Sequence, residues 1–311
     1  MDPLILGLIG FACALLLLVF RVPIAFSLAG VSSTFILLFF AMRNGGFDMV
    51  SAVAPTLSMV SSNTFALVHS YDLSMIPLFV LLGHISYHTG ITTDIYHAAR
   101  VWLKRLPGGV AMASVFGCGG FSAITGSSIA CASAMGKICV PEMLRMGYDK
   151  RLATSTVAVG GTLGSLIPPS VLFIVYGIFT EMSVSRLFMA GVIPGLISLL
   201  GFLVVIYVWV KRNPEVAPAD DTILEKGERR KAAKRCWPAM LLFTIIIGGI
   251  YGGFFTATEA AAVSAFAVIV IGSLQKRLNW SQFILSIKDT CTQTTSIFFI
   301  AAGAKIFVGF V

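Results

Sequence analysis

Residues Gly160-Gly161-Thr162-Leu163-Gly164-Ser165-Leu166-Ile167-Pro168-Pro169-Ser170 interrupt an apolar run that extends from about Leu152 to Phe179. Pro168 and Pro169 donate no backbone N–H, and their rings clash with the preceding turn, so regular helix has to break there. Broken backbone at membrane depth is tolerated only where protein buries it or a watery cavity receives it. In secondary transporters such breaks build ion and substrate sites from freed carbonyls and half-helix ends. A simple proline kink with glycines for close packing is the plainer reading. A second interruption upstream, Gly126-Ser127-Ser128, favours a site.

The rest of the chain supports a membrane setting. Its 311 residues are 57% hydrophobic and 12% charged. That composition fits an all-α polytopic membrane protein with spans of about 20 apolar residues. The apolar runs are continuous rather than alternating, which argues against a barrel. The net charge of +8 gathers largely in short loops, where it reports topology rather than nucleic-acid binding. The six cysteines form no C-x-x-C pair and read as small packing residues. The first apolar run carries Asp2 and no basic n-region, so it reads as a retained helix rather than a signal peptide.

In chain order, Leu4–Phe20 and Ile24–Met42 read as two spans. The short basic link at Arg21 places their junction in the cytoplasm and the N-terminus in the periplasm. Gly45–Ser70 is mixed and reads as interfacial or loosely helical. Asp72–Tyr87 is a third apolar segment, interrupted by Pro77. Residues 92–106 read as an amphipathic arm helix along the interface, with Arg100, Lys104 and Arg105 on its polar side.

Residues 107–140 are crowded with small side chains around Gly126-Ser127-Ser128. They fit either one tightly packed span or a re-entrant hairpin with its tip at Thr125–Ser128. Basic flanks on both sides ask for an even number of crossings and favour the hairpin. The broken helix, 152–180, follows, and then a span, Leu187–Val210. These segments make up a first repeat, 1–210.

The charged stretch 211–236, with Glu225, Lys226, Glu228, Arg229, Arg230 and Lys231, reads as a cytoplasmic loop. Beyond it, 237–311 restarts the order with opposite orientation: Trp237–Phe255, Ala260–Leu274, a partly amphipathic stretch Leu278–Asp289, and an apolar segment from Ser296. This is the pattern of an inverted repeat. The second repeat has no hairpin or broken helix of its own within 311 residues, so the chain is expected to be incomplete or truncated. Thr256 and Glu259 fit a capping box, which explains Glu259 without a proton-carrier role.

Taken together, several stretches resemble the large membrane subunit of tripartite ATP-independent periplasmic (TRAP) transporters. They are Ile76-Pro77-Leu78-Phe79-Val80-Leu81-Leu82-Gly83, Ser127-Ser128, Pro141-Glu142-Met143, the Gly161–Ser170 run, Pro194-Gly195, and Thr258-Glu259-Ala260-Ala261-Ala262. The resemblance implies a sodium-driven importer of organic acids such as sugar acids and dicarboxylates in a bacterial inner membrane. It implies an elevator-type fold, a periplasmic substrate-binding protein and a small four-helix membrane subunit. No cofactor is implied beyond sodium as coupling ion. By motif, Gly126, Ser127, Ser128, Thr162, Gly164, Ile167, Pro168, Pro169 and Ser170 would wall the sodium and substrate site. Of these, Ser127, Ser128, Gly164, Ile167 and Pro169 would ligate sodium. A hard cation prefers the carbonyl and hydroxyl oxygens that such backbone offers.

Two other functions compete. A sodium–carboxylate symporter of similar architecture would need no binding protein. An intramembrane hydrolase would pair Ser127 or Ser128 with one of His69, His84, His88 or His97, none of which has H-E-x-x-H spacing. A serine beside glycine is usually a turn residue, and the chain is read as a transporter, not an enzyme. Lys305, inside an apolar segment, has no assigned role.

Overall fold

The computed structural model describes residues 3–42, 47–218 and 227–310. Among them there is no strand; the protein is all-helical. Four helices are long and apolar enough to cross a membrane: Ile24–Met42, Val184–Arg212, Ala257–Leu274 and Trp280–Phe310. Two bent stretches, 49–88 and 228–251, pass the same length and composition test. Asp2, Gly45, Glu225, Lys226 and Val311 lie outside the described residues.

The chain divides into two compact units, Met1–Leu73 with Thr292–Val311, and Ser74–Cys291. The first contains α1 (Pro3–Val19), α2 (Ile24–Met42), α3 (Met49–Val68) and the C-terminal part of α15 (Trp280–Phe310). Here α1 packs on α2 and α2 on α3. The last turns of α15 fit against α1 and α2 through Phe11–Phe307 and Phe35–Phe310, whose ring centroids are 6.3 and 5.6 Å apart. Gly303 lets α15 approach α2, since a Cβ there would lie 2.7 Å from the Ala25 carbonyl oxygen. Lys305 sits half-buried in this part of α15.

Within the stretch Gly45–Ser70, read as interfacial or loosely helical, Met49–Val68 form one 20-residue helix, α3, with Pro55 inside it, so the loose-helix half of that reading is corrected. Asp48 caps it by accepting from the Val50 and Ser51 N–H groups. Ser61, Ser62 and Thr64 donate their hydroxyls to carbonyls of the preceding turn. Their polarity is therefore absorbed within the helix.

The second unit holds α4 (Met75–His88), α5 (Ile91–Leu103), α6 (Gly109–Thr125), α7 (Ser128–Arg145), α8 (Lys150–Thr162), α9 (Val171–Thr180) and α10 (Val184–Arg212). α11 (Glu228–Arg235), α12 (Trp237–Phe243), α13 (Gly249–Tyr251) and α14 (Ala257–Leu274) follow, with the start of α15. A π-helical stretch, Thr244–Gly248, joins α12 to α13. The core lies among α5 to α8 and includes Tyr96, Val115, Phe121, Met135, Met143, Leu152 and Leu163.

Several sequence boundaries move. Pro77 falls in the first turn of α4, where its missing N–H has no intrahelical partner to lose, so it opens the helix instead of interrupting it. The arm read as 92–106 is α5, Ile91–Leu103. The second hairpin helix runs past Val140 and through Pro141 to Arg145. The stretch 211–236 is not all loop. Glu228–Arg235 forms α11, built of strong helix formers, with Ala232 buried and Arg229 over the Trp102 ring of α5 at 5.9 Å. The separate segments Leu278–Asp289 and Ser296 onward are one continuous helix of 31 residues, α15. The Thr256 capping box is present: the Glu259 carboxylate accepts from the Thr256 N–H at 2.8 Å, and the Thr256 hydroxyl accepts from the Glu259 N–H.

Candidate ion and substrate site

α6 and α7 fold back on each other around a two-residue tip, Gly126–Ser127. Gly126 ends α6 in the left-handed region, with φ of 63°. Ser127 is extended and caps α7, its hydroxyl accepting from the Ala130 N–H at 3.3 Å. Small residues let the arms close: Gly117 meets Met135, and the Cys131 thiol donates to the Cys118 carbonyl.

The break between α8 and α9 lies directly against this tip. α8 stops at Thr162, Leu163–Ser165 form one 3-10 turn, and α9 restarts at Val171. The Pro168–Pro169 bond is cis. The Ser170 side chain is buried and bridges the gap; its hydroxyl donates to the Ser165 carbonyl at 2.9 Å and accepts from the Phe173 N–H.

Tip and break meet main chain to main chain. The Gly126 carbonyl accepts from the Val171 N–H. A Cβ on Gly126 would run into the Pro169 carbonyl oxygen. A Cβ on Gly164 would lie 2.8 Å from both the Ser127 carbonyl carbon and the Ser128 nitrogen, and one on Gly161 would lie 2.8 Å from the Ala132 Cβ. Glycine is required at these three places by close approach.

Of the residues singled out from sequence, Gly126, Ser127, Ser128, Gly164, Pro169 and Ser170 are therefore brought together. Ile167 and Pro168 lie behind them. Ile167 packs on Gly119 and Gly195, and both residues help line an apolar cavity of about 580 Å³ that also touches Phe116, Leu196 and Met240. Thr162 is exposed, and its hydroxyl donates to the Val159 carbonyl at 2.6 Å within α8. Its own carbonyl accepts from the Ser165 hydroxyl at 2.7 Å.

The break thus offers fewer spare oxygens than its sequence suggests. The carbonyls of Leu163 and Ser165 are also engaged, accepting from the Ile167 N–H and the Ser170 hydroxyl. A carbonyl keeps a second lone pair when it accepts one hydrogen bond. Such oxygens can still face a cation, but they are held in place. At the start of α9, two of the four N–H groups that a helix leaves open are already taken.

Two contacts were missed by sequence reasoning. The Val171 N–H closes on the tip, and Gly83 of α4 lies against Thr125, where an added Cβ would be 2.7 Å from the threonine methyl. The glycine that ends Ile76–Gly83 was the available signal for the second. The histidines stand elsewhere: His84 and His88 face Asp289.

Comparison with known proteins decides the family. The model of the "Tripartite ATP-independent periplasmic transporter, DctM component" matches residues 11–311. The chain belongs to this family. It is 39% identical over 249 residues to the C4-dicarboxylate TRAP transporter large permease protein DctM of Vibrio cholerae, covering 80% of this chain and 52% of that one. It is 30% identical over 282 residues to the sialic acid TRAP transporter large permease protein SiaM of the same organism, covering 87% and 65%. A third relative, the isethionate TRAP transporter permease protein DctMQ of Oleidesulfovibrio alaskensis, is 32% identical over 260 residues, covering 83% and 41%. The chain spans about half the length of the curated relatives it matches. A DctM-family chain of this kind is a multi-pass membrane protein, and the relatives are transporter permeases rather than enzymes.

Proposed function

We propose that the chain serves in the large permease subunit of a sodium-coupled tripartite importer of organic acids in the bacterial inner membrane. It would work with a small four-helix membrane subunit and a periplasmic substrate-binding protein. In this reading the N-terminus faces the periplasm, α6 and α7 form a re-entrant hairpin, α8 and α9 form a broken helix, and both move as part of an elevator domain. The observation that carries it is the juncture of the Ser127–Ser128 tip with the Gly164–Ser170 break. It gathers hydroxyl and carbonyl oxygens and two helix starts without a carboxylate. That suits a hard monovalent cation beside an anionic substrate. The names of relatives support an organic anion as cargo, since those proteins are described for C4-dicarboxylate, sialic acid and isethionate.

The test is uptake of a labelled C4-dicarboxylate into proteoliposomes holding the subunit with its membrane and periplasmic partners. Uptake should require an inward sodium gradient and the binding protein. Ser128→Ala should raise the sodium concentration for half-maximal uptake about tenfold, the effect of losing roughly 1.4 kcal/mol of ion binding. Uptake that ignores sodium would sink the proposal. Saturable uptake without the binding protein would favour the simpler symporter.

A further inference from the structure

His84 and His88 stand one turn apart at the end of α4, so both imidazoles leave one helix face. α15 brings Asp289 to that face from 201 residues beyond His88. His88 Nε2 lies 3.4 Å and His84 Nδ1 4.0 Å from the same oxygen, Asp289 Oδ2. One donor atom from each of the three residues lies within 4.8 Å of the other two. The histidine side chains are largely covered, 21% and 15% exposed, while Asp289 at 42% leaves a way in.

We propose that His84, His88 and Asp289 bind one divalent cation of the zinc class, independently of the transport site. A hydrogen-bonded ion pair needs only one imidazole. Here a second converges on the same carboxylate oxygen at a distance beyond hydrogen bonding. Two imidazole nitrogens and one carboxylate oxygen form a three-ligand zinc set, with water in the fourth position. With metal–ligand bonds of about 2.0–2.1 Å, neighbouring donors in a tetrahedral site lie about 3.4 Å apart. The His88–Asp289 pair already has this spacing, and His84 Nδ1, at 4.0 Å from the same oxygen, would have to draw closer on binding. Imidazole selects zinc, cobalt or nickel over magnesium, which prefers an all-oxygen shell. A bound ion would pin the start of α15 to the end of α4, next to the Thr89–Gly90 corner that leads into α5.

The experiment is calorimetric titration of Zn²⁺, and separately Mg²⁺, into metal-stripped protein in detergent near neutral pH. One Zn²⁺ per chain should bind and Mg²⁺ should not. His84→Gln and Asp289→Asn should each weaken Zn²⁺ binding by at least about tenfold, since even outer-shell losses cost that much. His69→Gln, at an exposed site in the other unit, should leave it unchanged. Co²⁺ added to the unmutated protein gives a second readout free of folding effects. Strong visible bands of a tetrahedral, nitrogen-ligated ion are expected. The proposal falls if folded protein binds no Zn²⁺, if both variants bind it normally, or if Co²⁺ keeps the weak spectrum of its hydrated form.

Discussion

The Gly126 carbonyl accepts a hydrogen bond from the Val171 N–H at 2.9 Å, so the tip between α6 and α7 supplies a partner to the first turn of α9. Four N–H groups at a helix start lack intrahelical acceptors. One is satisfied here by a residue 45 positions earlier in the chain and another by the Ser170 hydroxyl. The hairpin and the broken helix thus complete each other's backbone.

Adding a methyl group at that joint should separate its parts. Gly164→Ala places a Cβ 2.8 Å from backbone of Ser127 and Ser128, which cannot rotate away. Overpacking of this kind costs about 1–3 kcal/mol. Thermal unfolding should shift down and sodium-driven uptake should be lost. Gly136→Ala, where the nearest atom is a valine methyl 3.8 Å away, should behave like the parent.

Ser170 is buried and caps α9 while tying it to Ser165. Ser170→Ala should lower unfolding stability by about 0.5–2 kcal/mol, the usual loss for a helix cap. Ser170→Thr, which keeps the hydroxyl, should recover part of it in the same chemical-denaturation assay.

Glu259 is engaged locally by Thr256 through both backbone and hydroxyl. Glu259→Gln keeps an acceptor at the third helical position and should retain both stability and uptake. Glu259→Ala, which removes one arm of the capping box, should lower the unfolding midpoint while leaving the sodium dependence of uptake unchanged. Loss of transport in the glutamine variant alone would point to a titrating role instead.

Arg100 of α5 pairs with Glu142 of α7, both largely covered. Arg100→Glu and Glu142→Arg should each destabilise the protein, and the double exchange should restore about 0.5–3 kcal/mol of coupling. Additive losses in that cycle would mean the pair contributes nothing.

Asp48 holds its carboxyl below the ordinary carboxylate value, because the Ser51 hydroxyl and the Ser51 and Val50 N–H groups favour its charged form. A lowered folded value means the cap contributes above the unfolded value and is lost as pH falls through the folded one. Amide protection at Val50 and Ser51 should therefore persist through the ordinary carboxylate range and fade only as pH falls through the lower folded value. In Asp48→Asn, whose amide oxygen caps without titrating, the protection should be independent of pH.

Much of this architecture was legible because membranes force a simple code. α2, α10 and α14 appear in the sequence as apolar runs, and Gly126, Gly164 and the proline pair announce where helix stops. What escaped was polar sequence that folds by local satisfaction. The serine hydroxyls of α3 bond back to their own helix, and α11, mostly charged, packs on α5 with Ala232 buried. α15 reads as two segments because Asp289 and the polar residues after it break the apolar pattern without breaking the backbone. At the candidate site, the glycines and the proline pair marked where helix stops, but not how tip and break pair, since those contacts run through main-chain atoms. The His84–His88 spacing was visible, but its third member lies 201 residues beyond His88, and spacing alone could not supply it.

The joint's dependence on main chain has a consequence for mutational tolerance. The contacts that hold tip to break run through main-chain atoms of Gly126, Ser127 and Ser128, so on the proposed sodium site side-chain changes at Ser128 should tune ion affinity in graded steps. At Gly126, Gly161 and Gly164, any side chain at all enters occupied space. A saturation scan should therefore find two sharply different neighbours along the same short stretch. The serine would act as a dial and the glycines as switches, with even alanine at a glycine enough to disturb the joint.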